Sequence, residues 1–83
     1  MKEKKTGQNV KELYADDGTV FLLSYDVPVA AYVPGIGYVR TEERFSQTTT
    51  KHVNNWLRAN EAIDRAMEVT QNGLEQLISR SRN

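Results

Sequence analysis

The chain has 83 residues, with eleven acidic and eleven basic side chains, so its formal net charge is zero. This balance argues against a dedicated nonspecific DNA-binding protein, which normally carries a clear excess of basic residues. Cysteine is absent and His52 is the single histidine, which excludes a disulfide framework and a thiolate or imidazole-rich metal site. A chain of this length forms one domain with a marginal core, so we expect self-association to support it.

The sequence predicts a soluble, cytoplasmic protein. Residues 1–9 are polar and contain no apolar stretch of the kind that a signal peptide needs. The longest apolar-rich run, residues 27–33, is too short to cross a bilayer and contains Pro28. The absence of cysteine fits a reducing compartment.

The first part of the chain predicts a small antiparallel sheet. Residues 1–8 are rich in lysine, and we expect them to form a disordered basic arm. Residues 9–83 are predicted to form a single α+β domain, with its strands within residues 10–41. Residues 10–15 suggest a short strand or a loop that leads into one. Residues 16–18, Asp-Asp-Gly, predict a tight turn into a strand over residues 19–25.

The rest of the sheet follows from its turns. Residues 26–28 are expected to end the preceding strand, because proline cannot donate a hydrogen bond to a neighbouring strand. The next strands are predicted at residues 29–33 and 38–40, joined by a four-residue turn that would place Tyr32 opposite Val39. The result is an antiparallel β-meander of three or four short strands.

A helix is predicted within residues 48–80, where apolar residues recur about every three and a half positions and proline is absent. Ser46, Thr48 and Thr49 are all suitable N-cap residues. Glycine costs roughly 1 kcal/mol in a helix interior, so Asn72-Gly73 is the weak point. We expect one long C-terminal helix, or two helices with a break near residue 72.

The helical segment can also be written as heptads. One core position is occupied by Val53, Asn60, Met67 and Leu74, and the other by Trp56, Ile63, Thr70 and Leu77. This pattern favours a homodimer, because a single core asparagine fixes register and oligomer state. The predicted interface consists of Asn60, Ile63, Met67, Thr70, Leu74 and Leu77. The alternative is an amphipathic helix that lies on its own sheet, with Asn60 at the edge of the apolar stripe.

No motif indicates catalysis, and we expect a protein that is not an enzyme and needs no cofactor. His52 lies in the first turn of the predicted helix, but no motif places a nucleophile or an orienting group beside it. Gly35 and Gly37 belong to a hairpin turn, since no helix with further glycines follows them. No group of acidic residues has the spacing of a metal-binding loop.

The first functional expectation is binding to a protein, a second copy included, and nucleic-acid binding is the alternative. Aromatic residues on a sheet can stack on bases, arginine can hold phosphates, and polar residues on the first turns of a helix can read base edges. The candidate residues for such contacts are Tyr25, Tyr32, Tyr38, Arg40, Arg44, Lys51, His52, Asn54, Asn55 and Arg58.

Two segments resemble a known family. Residues 24–30 read Ser-Tyr-Asp-Val-Pro-Val-Ala, and residues 45–57 read Phe-Ser-Gln-Thr-Thr-Thr-Lys-His-Val-Asn-Asn-Trp-Leu. They are similar to a Ser-Tyr-x-x-Pro-Val-Ala strand and a Tyr-Ser-x-Thr-Thr-x-x-His-x-Asn-x-Trp helix start. Small proteins of unknown function from phages, archaea and bacteria share these motifs. The resemblance covers about residues 19–57, and Phe45 replaces the tyrosine of the pattern.

This resemblance implies a fold but no activity. The implied fold is a β-meander followed by a helix, and the implied origin is a mobile element, which would favour binding to a host protein. The motif positions include Ser24, Tyr25, Pro28, Thr49, His52, Asn54 and Trp56. In a structural role, Trp56 would pack on the strand hairpin, while His52 and a threonine would cap the junction with the helix.

Overall fold

The computed structural model describes residues 1–82, which form a six-stranded sheet and two helices. Strands β1 (Lys2–Gly7), β2 (Val10–Tyr14), β3 (Val20–Ser24), β4 (Val27–Val33) and β5 (Gly37–Thr41) form an antiparallel meander. Helix α1 (Gln47–Ala59) leads to β6 (Met67–Val69), which pairs parallel with β5, and α2 (Gln71–Arg82) follows. None of the described helices is long and apolar enough to cross a membrane. The α+β class is confirmed, but the sheet is larger than predicted and the single long helix is wrong.

The lysine-rich N-terminal segment, which we expected to be a disordered arm, forms strand β1. It pairs antiparallel with β2, with Lys2 opposite Tyr14 and Lys4 opposite Glu12. Residues 2–6 are exposed, so the segment needs no apolar face and carries none. Lysines on an edge strand also discourage pairing with other chains. The prediction failed because it took the lack of hydrophobic residues as a sign of disorder.

The β2–β3 turn forms where the sequence predicts it. Asp17 Oδ1 accepts a hydrogen bond from the Thr19 N–H at 2.9 Å, which lowers the pKa of the Asp17 carboxyl group. Gly18 takes a left-handed φ of 95°, a conformation that glycine adopts without steric cost. Local turn chemistry is therefore sufficient to fix this hairpin.

The β3–β4 turn lies earlier than predicted, at Tyr25 and Asp26. Both residues have left-handed φ values, 51° and 66°, as the commonest two-residue hairpin turns require. Pro28 lies inside β4 beside an irregularity, opposite Leu23. It precedes the first residue of β4 that pairs with β5, which is Ala30. Proline is tolerated here because β5 needs no donor from it.

The predicted helix ends after Ala59 because a C-terminal capping motif closes it. The Glu61 N–H donates to the carbonyl oxygen of Arg58 at 3.0 Å, and the Ala62 N–H donates to that of Leu57 at 2.7 Å. Glu61 has a left-handed φ of 56°, and Ala62 is fully buried in the cluster that contains Leu57. This pair of hydrogen bonds and the buried contact define a Schellman motif, with Asn60 as its C-cap.

The second helix begins beside the residues that were expected to break it. Thr70 Oγ1 accepts a hydrogen bond from the Gly73 N–H at 3.0 Å. Asn72 and Gly73 therefore lie in the first turn of α2, where backbone N–H groups have no partner within the helix. The predicted heptad seam is wrong, because Asn60 caps α1, Thr70 precedes α2 and β6 separates the two helices.

Helices cover the sheet on both faces, whereas the sequence predicted one cover. Successive residues of a strand point to opposite faces, so the apolar run of β3 supplies two clusters. The cluster under α1 contains Leu22, Val29, Ala30, Val53, Leu57 and Ala62. The cluster under α2 contains Leu13, Phe21, Leu23, Ala31, Val39, Leu74 and Ile78. We call these two sides the α1 face and the α2 face.

Candidate functional site

A chain of hydrogen bonds joins the end of β3 to the start of α1. Ser24 Oγ lies 3.0 Å from Thr49 Oγ1 and 2.8 Å from His52 Nδ1. Ser46 Oγ accepts from the Thr49 N–H at 3.1 Å, as the N-cap of α1, and donates to Thr49 Oγ1 at 3.3 Å. These four side chains form what we call the hydroxyl–histidine chain. They come from both segments of the motif noted in the sequence.

Ser24 Oγ is the shared member of these hydrogen bonds. A hydroxyl group has one proton and can also accept, so Ser24 either donates to His52 Nδ1 or accepts from it, according to which ring nitrogen carries the proton. Ser24 is 2% exposed and Thr49 is 6% exposed, so these hydrogen bonds lie largely away from solvent. The geometry is that of a connection between strand and helix.

A second polar connection joins α1 to β2. Trp56 Nε1 donates to Glu12 Oε2 at 2.7 Å, and the Tyr14 hydroxyl donates to Glu12 Oε1 at 2.5 Å. The hydrogen bond to Glu12 raises the pKa of the Tyr14 phenol, because it stabilises the protonated form. The Trp56 ring also contacts Tyr38 edge-on, with ring centroids 5.4 Å apart. Trp56 thus packs on the sheet through one hydrogen bond to a carboxylate and one aromatic contact.

Two of the predicted nucleic-acid contacts lie side by side. The β4–β5 turn is one residue shorter than predicted, so Tyr32 faces Tyr38 instead of Val39, with ring centroids 5.0 Å apart. Tyr14 lies in the same cross-strand row, separated from Tyr32 by Val20. The row of Tyr14, Val20, Tyr32 and Tyr38, which we call the aromatic row, is half-buried on the α1 face.

Cations stand beside one end of this row. The Arg65 guanidinium lies 6.0 Å from the centroid of the Tyr38 ring. Arg40 is two residues from Tyr38 on the same strand and therefore on the same face. Sequence reasoning missed Tyr14 and Arg65. Residues along a strand alternate between its two faces, so the spacing of Glu12 and Tyr14 in β2 places them on the same face. This spacing was the available signal for the tyrosine.

The remaining nucleic-acid candidates lie outside the aromatic row. Tyr25 is at the tip of the β3–β4 hairpin, and Arg44 is in the loop before α1. Five candidates lie on α1, where Lys51, Asn55 and Arg58 are exposed and His52 and Asn54 are half-buried. The structure therefore brings together Tyr32, Tyr38 and Arg40 on the α1 face.

An apolar concavity lies on the α2 face, at the end of the sheet where β6 is the edge strand. It has a volume of about 310 Å³ and is lined by Val33, Ile36, Val39, Met67, Val69, Gly73, Leu74 and Leu77. Every lining residue is apolar or glycine. Ile36 and Met67 are 64% and 53% exposed, whereas Leu74 is buried in the core beneath. We call this concavity the apolar groove.

Three of the predicted interface residues line the apolar groove, namely Met67, Leu74 and Leu77. They meet there from β6 and α2 instead of along one helix. The other three are elsewhere: Asn60 donates from Nδ2 to the Trp56 carbonyl oxygen at 2.8 Å, Ile63 packs on the α1 face, and Thr70 precedes α2. Ile36 was missed, although an isoleucine between two glycines of a turn is unusual and was visible in the sequence.

Comparison with known proteins gives one match. Residues 1–75 match DUF8033, a family of unknown function. A search of curated proteins and a search of solved structures gave no significant match. The matched range extends from β1 into the first turns of α2, so it includes the hydroxyl–histidine chain and most of the apolar groove. The chain therefore belongs to the DUF8033 family, whose function is unknown.

Proposed function

We propose that this protein works by binding and not by catalysis, and that two copies associate through the apolar groove. The observation that carries the proposal is the composition of the groove, in which all eight lining residues are apolar or glycine. Contiguous exposed apolar surface on a small protein marks an interaction site. The 64% exposure of Ile36 and the 53% exposure of Met67 place large apolar side chains at its rim.

The shape of the groove favours a second copy as the partner. A two-fold interface brings the same patch together from both chains, so the patch must hold both a projection and a recess. Ile36 projects from the β4–β5 turn, directly beside a recess of about 310 Å³. The formal net charge of zero adds no long-range repulsion between copies. Such an interface would also cover β6, the three-residue edge strand.

Association of this kind is expected to be weak. Full burial of a side chain as large as Ile36 or Met67 is worth about 1.5–3 kcal/mol. Association costs roughly 4 kcal/mol or more in lost freedom of motion. Two such side chains from each copy would contribute about 6–12 kcal/mol, which leaves about 2–8 kcal/mol after that cost, so we expect a dissociation constant from about 1 μM upward.

Sedimentation velocity across this concentration range tests the proposal. The wild-type chain should shift from monomer to dimer as its concentration rises, whereas Met67→Glu and Ile36→Glu should stay monomeric. A buried carboxylate without a partner strongly disfavours an interface. Both positions are more than half exposed in the monomer, so the variants should fold normally, which circular dichroism can check.

Phe45→Glu provides the matched control. Phe45 is 46% exposed but lies away from the groove, in the loop before α1, so this variant should dimerise like the wild type. A wild-type chain that remains monomeric up to the highest concentration would refute self-association. Equal dimerisation of the Met67→Glu variant would show that another surface is used.

As a binding protein, the chain would act in the cytoplasm on a second protein. The resemblance to phage, archaeal and bacterial proteins supports an origin in a mobile element and a host protein as the target. This part of the proposal rests on that resemblance and on the absence of cysteine.

The aromatic row supports single-stranded nucleic-acid binding as a second candidate function. The ring centroids of Tyr32 and Tyr38 lie 5.0 Å apart, and the Arg65 guanidinium lies 6.0 Å from the Tyr38 ring centroid. Aromatic residues can stack on bases, and a neighbouring arginine can pair with phosphates. Fluorescence anisotropy with labelled single-stranded DNA and RNA tests this function. Affinity should fall steeply with salt and should fall about fivefold or more in Tyr32→Ala, since stacking on one base contributes roughly 1–3 kcal/mol. If this substitution leaves the affinity unchanged, the aromatic row is not the nucleic-acid-binding site.

A further inference from the structure

A second concave surface lies at the opposite end of β4, on the α1 face. It has a volume of about 400 Å³ and is lined by Ser24, Tyr25, Val27, Val29, Phe45, Ser46 and Thr49. Two aromatic side chains flank it, with Tyr25 51% exposed and Phe45 46% exposed. Ser24 and Thr49 are buried, so their hydroxyl groups belong to its floor. The cleft thus combines apolar walls with a few polar atoms, as ligand sites commonly do.

This cleft continues into a polar and basic one. The second cleft has a volume of about 510 Å³ and is lined by Arg44, Phe45, Ser46, Gln47, Thr50 and Lys51. Because Phe45 and Ser46 line both, the apolar cleft and the basic cleft lie side by side. We call the two together the aromatic–basic cleft.

The positive charges of the aromatic–basic cleft are available to a partner. Arg44 and Lys51 are both exposed. Among the side chains of residues 1–81, ion pairs within 4 Å involve only Lys11, which pairs with Glu3 and Asp26. Glu42 and Glu43 precede Arg44 in the chain but do not line the cleft.

We infer that the aromatic–basic cleft binds a peptide segment of a partner protein in which a large apolar side chain lies beside acidic residues. The apolar side chain would enter between Tyr25 and Phe45, while the carboxylates pair with Arg44 and Lys51. Aromatic and arginine residues are the usual anchors of protein interfaces, and charge-assisted hydrogen bonds would fix the orientation of the peptide. The inference names the chemistry of a partner and does not depend on self-association through the apolar groove.

The backbone of Tyr25 gives independent support. Its φ of 51° lies in the left-handed region, which bulky residues rarely occupy, and glycine or asparagine suits this turn position better. The ring lies 6.2 Å from the His52 ring, centroid to centroid, and about half of the residue remains exposed. A strained residue with an exposed aromatic ring indicates a contact outside the folded chain.

Nuclear magnetic resonance titration of the full-length, nitrogen-15-labelled chain tests the inference. The probe is an octapeptide with a central leucine–phenylalanine pair and acidic residues on both sides. One control peptide carries lysines in place of the acidic residues, and another carries serines in place of the apolar pair. The acidic apolar peptide should give saturable shifts at the amides of residues 24–26 and 44–52. It should also bind at least about tenfold more tightly than either control.

Four variants separate binding from folding. Phe45→Ser and Arg44→Glu should each weaken the peptide about tenfold or more. Tyr25→Gly should also weaken it, yet its melting temperature should stay the same or rise, because glycine relieves the left-handed backbone. If Tyr25 were needed for the stability of the fold, the Tyr25→Gly variant would instead have a lower melting temperature. Ile36→Ser, in the apolar groove, should leave peptide affinity unchanged.

Three outcomes would overturn the inference. They are the absence of saturable shifts, equal affinity for the lysine-containing peptide, and shifts confined to the apolar groove. Equal competition by a single-stranded oligonucleotide would likewise assign the cleft to nucleic acid. Sedimentation of the unliganded chain is independent of all four results, so failure here and failure of self-association can be told apart.

Discussion

The two faces of the sheet hold their helices by different means. On the α1 face, Ser24 and Glu12 form hydrogen bonds with three side chains of the helix, His52, Thr49 and Trp56. On the α2 face, the helix packs mainly through apolar residues. Its direct polar connection to the sheet is the Gln71 Nε2–H, which donates to the Pro28 carbonyl oxygen at 2.8 Å.

This difference affects how firmly each helix is positioned on the sheet. Directed hydrogen bonds fix the position of α1 along β3, because each bond requires a particular distance and angle. Apolar contacts are non-directional, so α2 can cover the core and still leave the apolar groove beside it. The α1 face therefore holds its helix in a fixed geometry, whereas the α2 face leaves apolar side chains exposed beside its helix.

The largest expected effects come from core leucines, which should matter equally on both faces. Leu57→Ala and Leu74→Ala should each lower the free energy of unfolding by about 2–5 kcal/mol, since the two leucines are 0% and 1% exposed. Urea denaturation followed by circular dichroism measures both values. A loss of less than about 1 kcal/mol in either variant would mean that its helix is not part of the cooperative core.

The next effect should be specific to the α1 face. Trp56→Phe removes the hydrogen bond to Glu12 Oε2 and should lower stability by about 1–3 kcal/mol, because a half-buried carboxylate loses its donor. Glu12→Gln keeps an acceptor for Trp56 and should cost less. Equal stability of Trp56→Phe and the wild type would show that the contact with β2 is held by packing alone.

A smaller effect is expected from the hydroxyl–histidine chain. Ser24→Ala should lower stability by about 1–2 kcal/mol, because both Thr49 and His52 lose a partner. A double-mutant cycle with His52→Ala should give a coupling energy of about 0.5–1.5 kcal/mol. Additive losses would contradict a direct Ser24–His52 bond.

The smallest effect should come from the polar contact of the α2 face. Gln71 gains one hydrogen bond to Pro28, but its buried Oε1 has no partner among the side chains described, those of residues 1–81. The two contributions oppose each other, so Gln71→Met should change stability by less than about 0.5 kcal/mol. A loss as large as that of Trp56→Phe would remove the proposed contrast between the faces.

Local chemistry was sufficient to predict part of this fold. Gly18 marked a turn, the residues of β3 marked a strand, and Ser46 was among the expected N-caps. The end of α1 was missed because a left-handed Glu61 has no signature in composition. It is the burial of Ala62 that selects this conformation. Strand β6 was missed for a similar reason, since a three-residue strand depends on its partner β5.

The candidate sites show the same limit. The periodicity identified Met67, Leu74 and Leu77 as apolar positions, but it placed them on one helix instead of around a groove. The pairing of Tyr32 with Tyr38 depends on a turn that is one residue shorter than expected. Side-chain types were therefore readable from the sequence, whereas the surfaces they form required the tertiary register.

The parallel strand β6 has a consequence for folding kinetics. The meander forms from neighbouring segments, but β6 can pair with β5 only after α1 has crossed the sheet, and such non-local pairings form slowly. We expect β6 to be the last strand to form and among the first to open. The Glu42 N–H donates to the Val69 carbonyl oxygen at 2.8 Å across this junction. The hydrogen-exchange rate of the Glu42 amide would therefore report how often β6 separates from β5 at the end of the sheet beside the apolar groove. A second copy bound there would lower this rate.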